Sequence, residues 1–558
     1  MRPRRYLYAL APITMGALVC GAVVVAVTVT LSPAFFTLPN GGTVAPDFGA
    51  WRAFAALPGV GSAIALTFAA STGATLASLV VACCVGAWAM TPARRNRALV
   101  VAAAVAAVPP TALAAGLSEL ASPAAASSAE AWWQPWLPGV HAGTGMLLIA
   151  LCLKIAPFLA AMVLIAMPGA AADRHAAAAG ALGYGRAETF AKLVLPQVYR
   201  RLRLPVCAAL AWSLSTVAVP LLVDPASQSQ LAVIAWRGLA DGREAQRALG
   251  AATAAVVLAI ALAAIALLIV LEWTVRRAGQ AWLRSGRRGV AAPAVTRVGV
   301  AAAGAGLALA VAALVAPLML GGGRSGATLH ALAPVAAAAG NADGTTHSVP
   351  AALVATLAIG VVAMLVALAA TIASLEAEDR GRRRSAWPAL LWVPWLVPQI
   401  AFVPGIAWTL SDLAVRAPFA AVIVSQLVFV FPCVALALIP SWRALDPRYA
   451  RCAAALRATP RRVLARVKLP LVARPIAFAC ALAFAASAGL FLPTRLTAPD
   501  RVATLATDVV SNAATSNPRE AMLEATLLAL VSAIVVAFAL DRRKRTTAAR
   551  AAWQPAAG

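Results

Sequence analysis

The chain has 558 residues, of which 62% are apolar and 12% are charged, and its mean hydropathy is +0.84. A soluble globular domain carries about a quarter charged residues, so this composition excludes a soluble enzyme, a disordered chain and a nucleic-acid-binding module. The formal net charge of +26 then becomes a question of which side of a membrane the basic residues face.

Twelve apolar stretches are each long enough to cross a bilayer, which takes about 20 helical residues. Their long, continuous runs predict helices rather than the alternating strands of a barrel. The first stretch is too long for the apolar part of a signal peptide, so we expect it to remain as a helix. In chain order, the predicted spans are 10–31, 61–90, 98–118, 144–167, 205–223, 249–271, 298–320, 350–375, 387–410, 419–440, 476–494 and 521–540. The predicted fold class is an all-α polytopic membrane protein with about twelve transmembrane helices.

The spans divide evenly around a basic linker. We predict a first six-helix half over 1–272, a cytoplasmic linker over 273–297, a second six-helix half over 298–540 and a basic cytoplasmic tail over 541–558. With the N-terminus inside, 36 of the 46 Lys and Arg residues fall on the cytoplasmic side and nine fall outside. Since cytoplasmic loops are enriched in Lys and Arg, this bias predicts that both termini are cytoplasmic.

Two pairs of matching segments indicate an internal repeat. Val108–Gly116 in the third span matches Val397–Gly405 in the ninth, at an offset of 289 residues. Ala181–Pro196 after the fourth span matches Ala455–Pro470 after the tenth, at an offset of 274 residues. We attribute the difference to an insertion in the long external loop around Ala121–Pro138. Because both matching loops lie inside, the repeat is parallel, with its axis along the membrane normal.

The two long cytoplasmic loops, 170–200 and 445–475, contain helix-forming sequence. The second loop is predicted to form a helix over Tyr449–Arg457 and another that begins at Pro460, a residue favoured at the first helical position. Each loop ends in Leu-Pro just before the next span. Short helices of this kind suit docking into the grooves of a partner. The alternative is a pair of amphipathic helices that lie on the lipid headgroups.

These loops resemble the EAA loops of ABC-importer permeases, whose pattern is EAA-x3-G-x9-I-x-LP. The spacing matches, because Pro196 follows Gly183 by thirteen residues and Pro470 follows Arg457 by the same number. Both family glutamates are absent, since Ala177 and Arg451 stand in their places. The loop residues to which the resemblance assigns coupling to an ATPase are Ala177, Leu182, Gly183, Phe190, Pro196, Arg451, Leu456, Arg457, Leu464 and Pro470.

The resemblance implies a fused permease of two tandem six-helix MetI-like repeats, similar to binding-protein-dependent permeases of the thiamine and ferric-iron type and to an uncharacterised relative. It also implies a multi-pass location in the cell inner membrane. The expected partners are two ABC ATPase subunits on the cytoplasmic side, an external solute-binding protein and membrane lipid, without nucleic acid. The resemblance does not choose among a thiamine-like, ferric-iron, anionic or other polar substrate.

The sequence lacks the groups that would let the chain hydrolyse ATP by itself. A P-loop needs Gly-Lys followed by Ser or Thr, and none of the four lysines stands in that context. The four histidines are scattered over the chain. We therefore predict no catalytic residue, no metal and no cofactor, with ATP hydrolysed by separate subunits.

Polar residues in the spans are candidates for a translocation pathway. Lys154 is the most informative, because a charge near the middle of a span is costly; it either belongs to the pathway or is internally paired. Hydroxyl groups in spans often bond their own helix backbone instead. The candidate pathway residues are Lys154, Ser213, Ser215, Thr216, Gln399 and Ser487.

A secondary transporter of the major facilitator type is the alternative function. Such transporters also have six plus six spans, and Glu378–Arg384 resembles their loop motif. The corresponding loop Thr91–Arg97 lacks the Asp-Arg-x-Gly core of that motif. The long loops here also follow the fourth and tenth spans, where facilitators have short loops. The importer interpretation is therefore favoured.

Overall fold

The computed structural model describes residues 2–37, 45–120, 142–168, 172–223, 230–284, 293–323, 348–381, 386–514 and 518–551. These residues are overwhelmingly helical, and the strands among them are β1 (Phe36–Thr37) and β2 (Ala45–Pro46), a short antiparallel pair in which Phe36 faces Pro46. The predicted all-α polytopic fold class is confirmed. The loop around Ala121–Pro138, which is predicted to be external, lies outside the described residues.

The helices of the first part of the chain are α1 (Arg2–Leu31), α2 (Gly49–Ala55), α3 (Val60–Trp88), α4 (Pro92–Ala107), α5 (Pro110–Leu120), α6 (Ala142–Ala166), α7 (Ala172–Ala181), α8 (Arg186–Thr189), α9 (Leu195–Ser215), α10 (Ala218–Val223), α11 (Leu231–Ala240) and α12 (Glu244–Arg284). A 3-10 turn (Ser32–Ala34) follows α1, and a π-helical segment (Phe190–Val194) joins α8 to α9.

The helices of the second part are α13 (Pro293–Gly323), α14 (Val349–Gly381), α15 (Trp387–Leu390), α16 (Val393–Leu396), α17 (Val403–Thr409), α18 (Ser411–Arg416), α19 (Pro418–Arg443), α20 (Pro447–Ala455), α21 (Pro460–Val463), α22 (Leu469–Leu471), α23 (Ala473–Ala488), α24 (Phe491–Thr497), α25 (Leu505–Ala514) and α26 (Pro518–Ala551). A 3-10 turn (Gln399–Ala401) precedes α17, and a π-helical segment (Leu464–Lys468) precedes α22.

Within the described residues, eight helices are long and apolar enough to cross a membrane, and three bent pairs raise the number to as many as eleven. The predicted span 205–223 accounts for the difference from twelve. It is formed by the end of α9 and by α10, which extended backbone at Thr216 separates. Because α9 begins with three arginines in its first nine residues, its uncharged part is too short to cross a bilayer alone.

The described part of the predicted linker 273–297 is helical. Helix α12 continues to Arg284 and α13 begins at Pro293. The basic tail likewise continues α26 as far as Ala551. Arginine and lysine are good helix formers, so a basic stretch beside an apolar span prolongs the helix rather than ending it.

Two predicted spans are sharply bent at the matching proline motifs. Helices α4 and α5 meet at 80°, and the segments Trp387–Leu396 and Gln399–Thr409 meet at 91°. The residue before the first motif proline is extended in both cases, with ψ of 127° at Val108 and 130° at Val397. A following proline disfavours the helical conformation at the preceding residue, so each motif encodes its own bend.

The first helix of each predicted half packs against the other predicted half. Helix α1 contacts α14 and α17, and α13 contacts α3 and α5. Two glycines make these approaches possible. A Cβ atom at Gly116 would lie 1.8 Å from the carbonyl oxygen of Ala313 on α13, and one at Gly405 would lie 2.0 Å from that of Ala26 on α1. Only glycine allows backbones to come this close.

A hydrogen bond between distant elements also occurs twice. The backbone N–H of Leu231, at the start of α11, donates to Thr67 Oγ1 on α3 at 3.2 Å. The N–H of Leu505, at the start of α25, donates to Thr356 Oγ1 on α14 at 2.9 Å. These four residues are related by the same offsets of 289 and 274 as the sequence motifs. In each case a buried hydroxyl satisfies a helix N-terminus that would otherwise lack a partner.

Candidate functional site

The two loops that resemble coupling loops have the same local backbone. In the first, the N–H of Tyr184 donates to the carbonyl of Ala179 at 2.9 Å, and in the second the N–H of Ala458 donates to that of Ala453 at 3.1 Å. These bonds close a Schellman motif, in which the residue after the helix is left-handed. That residue is Gly183 in the first loop, with φ of 80°, and Arg457 in the second, with φ of 58°.

The left-handed conformation of Arg457 is unusual. Among the described residues other than glycine, only Arg457 and Asp500 have a positive φ. The conformation costs a residue with a Cβ atom about 1–2 kcal/mol. The loop therefore keeps the geometry that a glycine provides even where arginine has replaced it.

A π-helical segment follows in both loops, over Phe190–Val194 and Leu464–Lys468. Pro196 and Pro470 come two residues after these segments. A proline has no N–H to donate to the carbonyl four residues earlier, which favours the wider turn. Single π turns within helices occur often at functional positions, and here they lie where each loop joins its span.

The predicted coupling residues divide into exposed and buried groups. The leucines at the loop tips are largely exposed, Leu182 by 60% and Leu456 by 84%. The other exposed positions are Ala177, Gly183, Pro196, Arg451, Arg457 and Pro470. Leu464 is half-buried, whereas Phe190 is 2% exposed and packs on α3, where a Cβ at Gly86 would lie 2.8 Å from its Cζ. Phe190 therefore holds the loop to the bundle, and the exposed group forms the surface that a partner could reach.

An ion pair ties the first loop to the preceding helix pair. Arg95 on α4 donates to both carboxylate oxygens of Asp173, at 3.0 and 3.1 Å. The bidentate geometry fixes the orientation of the two side chains. Within the loop, Lys192 donates to Glu188 at 2.8 Å, and both side chains are buried.

Three carboxylates at the end of α14, Glu376, Glu378 and Asp379, hold the second loop; we call them the acidic anchor. Lys468 in the π segment donates to Glu376 at 2.7 Å and to Asp379 at 2.6 Å. Arg443, at the end of α19, donates to Glu378 at 2.7 Å. Partial burial alone would lower the pKa of Lys468, but its hydrogen bonds to Asp379 and Glu376 outweigh that effect and raise the pKa.

The role of the acidic anchor in holding the second loop was not predicted from the sequence. There, Glu378–Arg384 was interpreted as a motif similar to that of facilitators. A signal was available, since the acidic anchor concentrates three negative charges at the end of a span near the most basic loop. The partners could not be identified, because Lys468 lies 92 residues from Glu376.

Lys154 lies on α6 at the bend between α4 and α5. Its Nζ donates to the carbonyl oxygens of Ala106 at 2.7 Å and Val108 at 2.6 Å. The bend frees these oxygens, since Pro110 has no N–H to offer Ala106. The ammonium group therefore takes the place of the helix hydrogen bonds that the bend removes.

The remaining pathway candidates lie on several elements of the fold. Ser213 and Ser215 donate to carbonyls of their own helix, at 2.8 and 2.9 Å. Thr216 is buried at the end of α9, and Gln399 is half-buried at the start of a 3-10 turn. Ser487 donates to Oε1 of the buried Gln426 on α19. These placements give Ser213 and Ser215 a structural role and leave the pathway itself as a prediction.

The side chain of Gln426 connects two helices that are separated by a break in the chain direction. Its amide nitrogen donates to Thr494 Oγ1 at 3.1 Å, while its amide oxygen accepts from Ser487. Ser487 belongs to α23 and Thr494 to α24, on either side of the break at Gly489. One buried amide thus holds both parts of the broken eleventh span.

Two cavities lie in the second part of the chain. An apolar one of about 600 Å³ lies between α14, α23 and α26 and includes Pro470. A polar one of about 230 Å³ is lined by Asp508 and Asn512. Asn512 donates to both carboxylate oxygens of the buried Glu524 at 3.0 Å. In the described residues, no group of three His, Cys, Asp or Glu side chains is arranged to hold a metal ion.

Part of the chain is similar to a known membrane protein. Over 332 residues it is 32% identical to the inner membrane ABC transporter permease protein YnjC of Escherichia coli (strain K12). The aligned part covers 59% of this chain and 58% of the relative, so the similarity extends over less than two thirds of either protein. No family model matches the chain. No solved structure matches it either.

Proposed function

We propose that the chain is the transmembrane permease subunit of a binding-protein-dependent ABC importer in the cell inner membrane. It would carry a small polar solute across the membrane while separate subunits hydrolyse ATP. The similar protein of Escherichia coli is an inner membrane ABC transporter permease, which supports the general class. The import direction, the substrate and the partners belong to the proposal.

The observation that carries the proposal is the paired geometry of the two loops. Each has a helix, a left-handed residue, a π segment and a Leu-Pro step at positions 274 residues apart. Each also exposes a leucine at its tip, Leu182 or Leu456. Exposed apolar side chains on an ordered loop are typical of a docking surface. Two copies suit two ATPase subunits on the cytoplasmic side.

The anchors of the loops suggest how movement would reach the spans. Asp173 links the first loop to α4, and Lys468 links the second to α14. A displacement of either loop would therefore act on helices that line its own half. Because α1 and α13 each pack on the opposite half, the two halves would tilt against each other as coupled bodies. An external solute-binding protein would deliver the substrate to the opposite face.

The facilitator alternative depended on Glu378–Arg384. In the structure, Glu378 binds Arg443 and Trp387, and Asp379 binds Lys468 and Trp442. These bonds account for the acidic residues as the anchor of the second loop. A function driven by an ion gradient is therefore not needed to explain them. No other observation favours the alternative.

Purification and transport together test the proposal. The tagged full-length chain, extracted into nanodiscs, should retain an ATPase subunit with a P-loop, identified by mass spectrometry. Uptake in cells should stop when ATP is depleted and continue when a protonophore removes the proton gradient. The double variant L182E/L456E should lose the ATPase, while V415E, at an exposed apolar position of α18, serves as a control outside the loops and the spans. Purification without an ATPase, with uptake that depends on the gradient, would refute the importer.

A further inference from the structure

The second loop exposes six arginines that have almost no counterpart in the first. None of them makes an ion pair with a described residue, and all are exposed. We call this group the arginine face: Arg448, Arg451, Arg457, Arg461, Arg462 and Arg466. The residues at the corresponding positions of the first loop are Arg174, Ala177, Gly183, Ala187, Glu188 and Lys192. There Lys192 is paired with Glu188, so Arg174 is the one exposed cation of this set, and the first loop exposes fewer arginines than the second.

The arginine face stands on an ordered backbone. The side chain of Asp446 caps α20 by accepting from the N–H of Arg448 at 2.8 Å, and Thr459 caps α21 by accepting from the N–H of Arg462 at 3.4 Å. The Schellman motif fixes the turn between these helices, and Lys468 fixes the end of the loop. A pre-ordered surface loses less entropy when it binds, so the arginines are arranged for an external partner.

The carboxylates that hold the second loop to α14 are already engaged. Glu376 binds Arg380 and Lys468, and Glu378 binds Arg443. Six like charges on one loop repel one another unless an anionic surface covers them. Arginine also favours carboxylates, since its planar group can donate two parallel hydrogen bonds. The arginine face is therefore complementary to a partner surface that carries Asp or Glu side chains.

We propose that the second loop docks on an acidic surface of its ATPase partner, while the first loop docks mainly through apolar contacts. This inference rests on the proposed function and specifies the chemistry of one of its two docking sites. The leucine tips would serve both sites, and the arginine face would distinguish them. A role on lipid headgroups is less consistent with the structure, because the first loop shares the backbone geometry and the exposed leucine but carries fewer exposed arginines.

The test compares matched charge reversals. The full-length chain is placed in nanodiscs of phosphatidylcholine, and the ATPase subunit that copurifies with the wild type is added back at about 50 to about 300 mM NaCl. R451E/R461E in the second loop should weaken binding about 100-fold at low salt and remove most of its salt dependence. R174E/R186E, which reverses two exposed charges in the first loop, should change the affinity for the ATPase by less than about threefold. R451K/R461K keeps the charge and should weaken binding by less than about tenfold.

A second measurement uses Cys452, an exposed thiol on α20 beside Arg451. The ATPase should protect this thiol from a water-soluble maleimide in the wild type but not in R451E/R461E. Equal loss of affinity for the two double reversals, or binding without salt dependence, overturns the inference and leaves the proposed function standing. Protection of Cys452 by phosphatidylglycerol without any ATPase also overturns it in favour of the membrane. If no ATPase binds the wild type at all, the proposed function fails and the inference fails with it.

Discussion

At the scale of single residues, polar side chains supply hydrogen bonds where helices of this bundle are broken. The half-buried Lys154 replaces the hydrogen bonds lost at the bend before Pro109, and the buried Gln426 joins the two parts of the broken eleventh span. A buried carbonyl without a donor costs about 1–3 kcal/mol, so a donor placed at a break stabilises the fold. Both residues therefore stabilise breaks in neighbouring helices rather than the helices on which they lie.

Replacing Lys154 with methionine should lower the free energy of unfolding by about 1–3 kcal/mol, because two carbonyl oxygens lose their donor. The thermal midpoint of the purified protein in detergent measures this change. Lys192→Met gives a comparison, since its partner Glu188 lies on the same loop and its removal should leave the bend between α4 and α5 intact. An unchanged midpoint for Lys154→Met would contradict the role at the bend and favour the pathway interpretation.

Replacing Gln426 with leucine should lower the free energy of unfolding by about 1–2 kcal/mol, since Ser487 loses its acceptor and Thr494 one of its donors. The neighbouring Ser425→Ala supplies the control, because that hydroxyl bonds only to its own helix carbonyl at Val422 and its removal should cost little. Thermal unfolding of the two variants side by side provides the measurement. If Gln426→Leu is no less stable than Ser425→Ala, the amide does not hold the break.

At the scale of elements, the sequence predicted where helices and loops lie better than it predicted their shape. The apolar runs located the spans, and the Pro460 and Leu-Pro signals located the loop helices. The 80° bend at Val108 was not predicted, because a hydropathy run counts residues and carries no direction. The predicted fifth span, 205–223, differs for another reason, since its helix begins in the charged stretch at Leu195 and ends before extended backbone at Thr216. Contacts between residues 92 apart, such as Lys468 with Glu376, cannot be inferred without the fold.

Removing the cation that the acidic anchor binds should loosen the second loop locally. Lys468→Met leaves two partly buried carboxylates without their cation and should lower the free energy of unfolding by about 2 kcal/mol, somewhat less than for a fully buried pair. Amide hydrogen exchange over 456–475 should become faster. Arg466→Met, in the same π segment but exposed and unpaired with described residues, should leave the exchange unchanged.

The pH dependence of this effect has a definite sign. The raised pKa of Lys468 means that its contribution is fully present below its ordinary value of about 10.4 and is lost only as the pH rises through the raised pKa. The difference in stability between the wild type and Lys468→Met should therefore stay constant from about pH 6 to about pH 9. A difference that falls within that window would show that Lys468 is not held by the carboxylates.

At the scale of the whole molecule, the first helix of each predicted half packs against the other half, which we call the exchange of first helices. This packing makes the stability of each predicted half depend on the other. The contacts of α1 with α17 and of α13 with α5 come from Gly405 and Gly116, which occupy matching positions of the repeat. The repeat was visible in the sequence, but the exchange was not, because a glycine in a span indicates close packing without naming the partner helix. The proposed tilting of the halves as units requires that these two approaches survive the movement.

Adding one methyl group at either glycine should therefore separate the halves. Gly116→Ala and Gly405→Ala each place a Cβ atom within 2.0 Å of a backbone oxygen, and a backbone cannot move aside as a side chain can. We expect a loss of more than about 2 kcal/mol for each, seen as a lower thermal midpoint and earlier proteolysis between α12 and α13. Gly73→Ala on α3 is the control, because its Cβ would meet nothing within 4 Å and alanine favours a helix by about 1 kcal/mol. If all three variants behave alike, the close approach of α1 and α13 to the opposite halves is not what holds the molecule together.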